Sequence, residues 1–435
     1  MNQIEALLSK AQLSDETTWQ LAKETGFAVR TPRKITPYNF LRLSLEESLC
    51  SQPSYNDMTA RLNTSTGICA SRQAVCKRVN DGCVAFMQAV LGQVMKTRTT
   101  LPEDSCAYGR ILVQDSTVIR LPKRLYDDFS GVSNAHSTVC NARLQAVYDL
   151  LAGEFVSFSI DTYSKNDSTA APELELRATD LVLRDRGYLS ADEIQRHIDA
   201  GADCIYRHKH NTTYEDPQTG KPIDLLAKLR CHGTLDMDVR LSNGTVCRLV
   251  AAPVNEETAN LRRRKLKKEQ SGHAPSKELL QLASWTLLLT TIDCNKATFK
   301  QLLDLYGLRW RIEIIFKAWK SNMNFAQIHN VSKKQLLVLL AARLTMVVAF
   351  THFLYRPLSK RMRAGFAREA SLMKTIRYFA RNPEQIGRAI RMLHGGESDN
   401  GLLAALVRYC AYDKRKRPCH NEEVERIVFG ERALS

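Results

Sequence analysis

At 435 residues the chain is too long for one ordinary domain, and 44% apolar with 25% charged residues excludes a disordered or low-complexity protein. Sixty-two Lys and Arg against 46 Asp and Glu leave a net charge of +16, which favours a polyanion as partner. Nucleic acid comes before a membrane surface, since each neutralised phosphate releases condensed counterions. Twelve cysteines without a single C-x-x-C pair argue against a zinc or disulfide framework and for reduced thiols in a cytoplasmic protein.

Residues 1–100 read as helical and basic, and the first sixteen lack the charged-then-apolar layout of a signal peptide. Within residues 57–80 two short helices flank a Thr/Ser/Gly-rich turn at 63–67, and Ser71 is placed to cap the second. That second helix carries Arg72, Gln73, Lys77 and Arg78 beside Val75 and Val79. It suits a helix-turn-helix with its basic face on DNA, or equally an ordinary helical hairpin with a solvated face.

From residue 110 the pattern changes to strands. Residues 111–121, ILVQDSTVIRL, are β-rich; 142–150 and 154–161 are two more strands joined through Ala152-Gly153 as a hairpin. A helical stretch is expected over 171–177, then a strand at 180–183 that runs into Arg184-Asp185-Arg186-Gly187-Tyr188. Ser190 with Glu193 makes a capping box for the next helix, and Gly201 stands where a helix-terminating glycine belongs. This order fits the front of an α/β core of RNase H type.

Residues 202–293 read as a β-rich insertion of short strands and turns, with RRRKLKK at 262–268 as a basic loop. His208 and His210 alternate there, but without a third ligand nearby they are polar strand residues. Helices resume at Lys296 and continue to the end, with basic clusters at 356–368 and 414–417. The apolar run 336–355 approaches membrane length, yet it contains Arg343 and His352 and reads as a buried helix.

The most specific feature is YGLRWRIEIIFKAWK at 306–320. Tyr306, Arg309, Glu313, Lys317 and Lys320 are spaced 3, 4, 4 and 3 apart. At about 100° per residue they fall within an arc of roughly 80° on one helix. A carboxylate centred in a ridge of cations can hold a metal while its neighbours bind phosphates. An exposed helix with i,i+4 Glu–Lys pairs has the same spacing.

This Tyr-x2-Arg-x3-Glu-x6-Lys spacing resembles the signature of the IS4 family of bacterial DDE transposases. Gln114-Asp115-Ser116-Thr117 resembles the family's first aspartate on the first core strand, and Asp185-Arg186-Gly187-Tyr188 its second aspartate block. The resemblance covers residues 111–324. It implies an RNase H-like catalytic core, a mixed five-stranded sheet with helices, interrupted by the insertion. The domains expected on this basis are a helical DNA-binding region at 1–100, core halves at 101–201 and 294–355, the insertion at 202–293, and a helical basic region at 356–435.

Asp115, Asp185 and Glu313 are the expected catalytic and metal-binding residues. Asp is disfavoured inside a strand, so Asp115 is either a metal ligand at the sheet centre or sits on an edge or a bulge. Asp185 ends a strand before a glycine, where ligand sites gather in α/β sheets and where turns form anyway. Asp149, Asp161 and Asp180 are rival acids without a comparable motif. Oxygen-only ligation suits two Mg²⁺ ions, with Mn²⁺ able to substitute. Tyr306, Arg309, Lys317 and Lys320 are expected at the DNA phosphates, with Arg186 and Tyr188 as further contacts. Trp285 lies 28 positions before Glu313, where enzymes of this family carry a tryptophan that stacks on a flipped base. A buried core tryptophan is the other reading.

The resemblance implies cut-and-paste transposition of an insertion sequence by metal-dependent strand hydrolysis, a hairpin on the transposon end, and strand transfer into target DNA. The expected partners are double-stranded DNA, as terminal inverted repeats and target, and a second copy of the chain in a synaptic complex on the bacterial nucleoid. A non-joining RNase H-like nuclease and a transposase-derived DNA-binding regulator are the alternatives.

Overall fold

Eight strands form one sheet in the order β3-β2-β1-β4-β5-β8-β7-β6 in a computed structural model that describes residues 3–30, 32, 34–97, 108–131, 139–269, 274–413 and 427. Cys106 and the basic run 414–417 lie outside these residues. Strand β1 (Arg110–Arg120) pairs antiparallel with β2 (Asn141–Asp149), and β2 with β3 (Glu154–Thr162). On its other side β1 is parallel to β4 (Asp180–Arg184), which is parallel to β5 (Asp203–Arg207). These five strands are the mixed sheet of an RNase H-like core. The fifth falls inside the segment 202–293 expected as insertion, and its sequence CIYR is buried at Cys204, Ile205 and Tyr206 as a central strand requires.

The insertion proper does not make a sheet of its own. Strands β6 (Leu235–Arg240), β7 (Val246–Pro253) and β8 (Trp285–Thr290) are antiparallel, and β8 pairs with β5, so they extend the core sheet.

Among the described residues six helices precede the sheet: α1 (Gln3–Lys10), α2 (Asp15–Glu24), α3 (Pro37–Ser48), α4 (Tyr55–Thr66), α5 (Arg72–Cys76) and α6 (Asp81–Lys96). Side-chain caps start five of them, among them Ser71, which accepts from the Ala74 amide as expected. The second helix of the candidate helix-turn-helix is only five residues long.

Within the core, α7 (Ala191–Asp199) follows β4 and ends near Gly201, whose φ of +67° is the left-handed conformation that favours glycine. Ser190 caps α7 by accepting from the Glu193 amide at 3.2 Å. The reciprocal half of the expected capping box is replaced, because the Glu193 carboxylate is drawn to Arg184 and Arg196 instead, each at 2.6 Å. No helix forms over 171–177. After Pro172 the chain is extended, and Leu174 and Leu176 alternate inward onto Leu112, Val147 and Val182 of the sheet. Apolar residues two apart fit a strap across a flat sheet, and this period won over helix propensity.

The insertion contributes α8 (Leu225–His232), α9 (Glu256–Glu269) and α10 (Lys277–Leu282). RRRKLKK is therefore helical rather than a loop. Its Arg, Lys and Leu are good helix formers, and Glu256 and Glu257 at the start with Lys267 and Lys268 at the end complement the helix dipole.

Beyond β8 run α11 (Phe299–Gly307), α12 (Trp310–Asn322), α13 (Lys333–Phe350), a π-helical turn (Thr351–Tyr355), α14 (Arg356–Phe366), α15 (Leu372–Arg381), α16 (Gln385–His394) and α17 (Asn400–Cys410). Helix α13 is the apolar run. It is long and apolar enough to cross a membrane by composition, yet 94% of that window is buried against the rest of the protein. Within its apolar stretch Arg343 is 1% exposed and donates to the carbonyls of Ser48, Phe325, Gln327 and Cys50 at 2.9, 3.1, 3.0 and 3.5 Å. Burial lowers its pKa to about 10. One guanidinium thus ties the end of α3 and the loop after α12 to the central helix.

Candidate active site

Parallel pairing of β1 with β4 places Gln114 opposite Arg184, so Asp115 and Asp185 each lie one residue beyond a paired position on neighbouring strands. Adjacent strands are about 4.8 Å apart, which brings two acids distant in sequence close together. Asp115 is on a central strand, not an edge, with β2 on its other side. Its Oδ1 accepts from the Ser116 amide at 2.7 Å.

The third acid arrives on α12. Residues 306–320 form two helices instead of one, joined by a tight turn in which Leu308, Arg309 and Arg311 donate to the carbonyls of Leu305, Tyr306 and Leu308. The turn stays near helical geometry, so the ridge survives the break. The Tyr306 hydroxyl donates to Asp185 at 3.2 Å. Arg309 donates through Nη1 to Asp115 at 2.8 Å and through Nη2 to Glu313 at 2.9 Å. Lys320 reaches the Val118 carbonyl of β1 at 2.7 Å, and burial lowers its pKa. Lys317 is exposed on the same helix.

Electrostatics decide the character of this cluster. Burial raises the Asp115 carboxyl; Arg309 and the Ser116 amide oppose the rise, Glu313 and Asp185 add to it, and the result is about 6. For Arg309 burial works against the charge, but Tyr306, Asp115, Asp185 and Glu313 outweigh it and hold the guanidinium above its ordinary value. The Tyr306 hydroxyl is pushed up by burial and by Asp185. Three mutually repelling carboxylates therefore gather round one cation. Among the described residues no three acid, His or Cys side chains stand close enough to hold an ion between them, since Arg309 occupies the space between Asp115 and Glu313. The donor set is oxygen only and its repulsion calls for positive charge, a chemistry that suits a hard divalent cation.

The rival acids have structural work. Asp180, fully buried, takes a bidentate pair from Arg110 at 2.7 and 2.5 Å. Asp149 accepts from the amides of Leu151 and Ala152 in the hairpin turn, and Asp161 pairs with Lys165. His208 lies just past β5, its Nδ1 2.6 Å from the Tyr214 hydroxyl.

Other expected contacts lie away from the cluster or inside the fold. Tyr188 is 2% exposed, and its hydroxyl donates to Gln145 at 3.2 Å. Arg186 is exposed, 3.8 Å from Glu269 of α9. Trp285 begins β8 half-buried, packs on the second core cluster, and donates its indole N–H to the Gly233 carbonyl at 2.8 Å. Its partners are those of a core residue rather than the carboxylates. The sequence reading missed Arg143, Gln145 and Asp167, which bond to the neighbours of the two aspartates. A buried Arg and Gln within the apolar strand ARLQAVYD were signals available for the first two; Asp167 in SKNDST carried none.

Residues 109–348 match the family model described as a transposase DDE domain. The transposase for insertion sequence element IS231E of Bacillus thuringiensis subsp. finitimus is 27% identical, over 73% of this chain and 72% of its own length. The transposase for IS1151 of Clostridium perfringens is 26% identical over 75% of each chain, and that for IS421 of Escherichia coli 25% identical over 69% and 80%. A cryo-EM structure of the piggyBac transposase synaptic complex with hairpin DNA is a distant likeness, at TM-score 0.47 and 9% identity over 97% of this chain and 87% of that one. The matched model spans β1 through nearly all of α13, more than half of the chain and every residue of the carboxylate cluster, and the protein belongs to the DDE transposases of bacterial insertion sequences, with the IS4 family the one that fits.

Proposed function

We propose that this transposase moves an insertion sequence by a cut-and-paste route in which Asp115, Asp185 and Glu313 bind divalent metal, with Mg²⁺ as the natural ion. The observation that carries the reading is that Arg309 joins Asp115 of β1 to Glu313 of α12 while Tyr306, three residues before it, holds Asp185 at the end of β4. Bound there, a pair of divalent ions would activate the attacking oxygen and stabilise the leaving oxygen of an in-line displacement at phosphorus.

The chain's own residues supply the rest. Arg309 is buried and doubly paired, with a third N–H, Nε, lacking an acceptor. Released from the carboxylates, it presents a guanidinium to a DNA phosphate in a partly desolvated site, where such a contact is strongest. Tyr306 keeps its proton and holds Asp185 by donation, which fixes one carboxylate oxygen and leaves the other open. Lys317 contacts the backbone beside the cleaved bond, and Lys320 steadies β1 through Val118. In this reading the freed 3′-hydroxyl attacks the opposite strand's phosphorus at the transposon boundary, forming a hairpin on the transposon end as the flanking strand's 3′-oxygen leaves, with Trp285 as the candidate base-stacking residue. The basic faces of the N-terminal helices and of α9 hold flanking DNA, and two protomers work together on two ends.

The test is Glu313→Ala on the full chain with a DNA fragment carrying one transposon end. DNA binding persists while Mg²⁺-dependent cleavage falls by about three orders of magnitude or more, the scale lost with central catalytic groups. Retained cleavage would refute the assignment. Cleavage by the wild type without strand transfer would reduce the protein to a nuclease.

A further inference from the structure

A second polar cluster connects the backbone around Asp115 to the backbone around Asp185. Its centre is Asp167, in the loop after β3. Asp167 Oδ1 accepts from the Ser116 hydroxyl at 2.7 Å and from Arg143 Nη1. The Asp167 carbonyl accepts from Gln145 Nε2 at 2.9 Å. Arg143 also donates to the Ser116 hydroxyl at 3.2 Å and to the Tyr163 carbonyl at 3.3 Å, with its guanidinium 4.6 Å from the centre of the Tyr163 ring. Gln145 in turn accepts from Tyr188 at 3.2 Å and from Gln114 at 3.1 Å.

Gly187 closes the circle. A Cβ there would stand 2.9 Å from Asp167 Oδ2 and 3.3 Å from Asp167 Cβ, so the turn after Asp185 rests directly on the Asp167 side chain. Both aspartates are thus held through their neighbours. The Ser116 amide binds the Asp115 carboxylate while the Ser116 hydroxyl is bound by Asp167, and Gly187 and Tyr188 after Asp185 touch Asp167 and Gln145.

There is a physical need for such a clamp. Asp115 and Asp185 repel one another from separate strands, and β1 and β4 pair only as far as Gln114 and Arg184. Nothing in the sheet ladder sets the distance between the two carboxylates beyond that point. A metal site tolerates misplacement of roughly 0.5 Å, and losing a partner that orients a ligand typically costs about 10–100-fold in metal affinity.

We propose that Asp167, with Arg143 and Gln145, is a positioning group that sets the spacing of Asp115 and Asp185 and so the affinity of the site for divalent cations. The proposal rests on the reading that these carboxylates bind metal. It assigns Gly187 a role too, as the position that must lack a side chain for Asp167 to fit.

The test is a titration of Mn²⁺ into the full chain, with free Mn²⁺ read by electron paramagnetic resonance, alongside thermal unfolding and DNA binding in EDTA. Asp167→Asn and Gly187→Ala weaken Mn²⁺ binding by about 10–100-fold. DNA binding in EDTA stays as in the wild type, Asp167→Glu recovers part of the affinity, and excess Mn²⁺ restores cleavage. Gly187→Ala retains both charges of the Arg143–Asp167 pair and decides the matter if Asp167→Asn fails to fold. Wild-type Mn²⁺ affinity in either folded variant overturns the proposal. Asp115→Asn separates the two readings: if it leaves Mn²⁺ binding unchanged, the metal assignment fails and the positioning role with it. If Asp115→Asn abolishes binding while Asp167→Asn and Gly187→Ala do not change it, only the positioning role fails.

Discussion

Asp115→Asn removes the most strained charge of the cluster, and its effect on stability follows from the local electrostatics. Burial lifts the Asp115 carboxyl from its ordinary 3.8 to about 6 despite the neighbouring Arg309. The folded protein therefore binds this proton more tightly than the unfolded chain does. The contribution of this group to stability is fully present below the unfolded pKa and is lost as pH rises through the window from 3.8 to about 6. At roughly 1.36 kcal/mol per pH unit, the cost above pH 7 approaches about 3 kcal/mol. Asn fills the same space without the charge, and Arg309 keeps Glu313 and Tyr306 beside it. In EDTA, Asp115→Asn is therefore more stable than the wild type by about 1–3 kcal/mol at pH 8, and the gain disappears near pH 4. Urea unfolding of both proteins between pH 4 and 8 measures the difference. A variant that is less stable at pH 8, or a gain that does not depend on pH, would show that Arg309 compensates the buried charge and that the site is unstrained.

Divalent metal should reverse the order: at about 100 times its Kd, Mg²⁺ stabilises the wild type by roughly 2.7 kcal/mol and leaves Asp115→Asn unmoved, which thermal shift with and without Mg²⁺ reads directly. Arg343→Ala strips four main-chain carbonyls of their donor and opens a cavity in α13. A loss of about 3 kcal/mol or more in urea unfolding is expected; a loss below about 1 kcal/mol would mean that water replaces the guanidinium. Trp285→Phe keeps an aromatic face but loses the bond to Gly233, at a cost of about 1 kcal/mol, with hairpin formation retained if stacking is the function. Trp285→Ala then loses both hairpin and stability, whereas normal hairpin yield from a folded Trp285→Ala protein would leave only the core role.

Much of the site was legible because its strongest signal is local. Tyr306, Arg309, Glu313 and Lys320 sit within fifteen residues on a nearly continuous helical path, and helical periodicity carries a face through a short break. The buried character of α13 was legible as well, since an arginine inside an apolar run needs carbonyl partners that only a protein interior provides. Elsewhere local preference misled. Residues 171–177 contain helix formers yet form no helix, because Leu174 and Leu176 pack on Leu112, Val147 and Val182 of the sheet; residues 262–268 look like a solvated loop yet are helical.

The sequence alone determined the chemistry on offer: three acids in characteristic contexts, a cationic ridge, a basic chain, and an order of strands and helices that suits an RNase H-like core. Tertiary structure decided how those acids meet. Asp115 and Asp185 are neighbours only because β1 and β4 pair in parallel at one register, and Arg309 bridges Asp115 to Glu313 only because α12 lies across β1. It also decided that the insertion continues the core sheet through β5 and β8, and that Asp167 buttresses both aspartates. The Ser116–Asp167 and Asp115–Arg309 contacts join residues 51 and 194 positions apart, and the free energy that selects them is burial and charge summed over the whole fold, which no local pattern encodes.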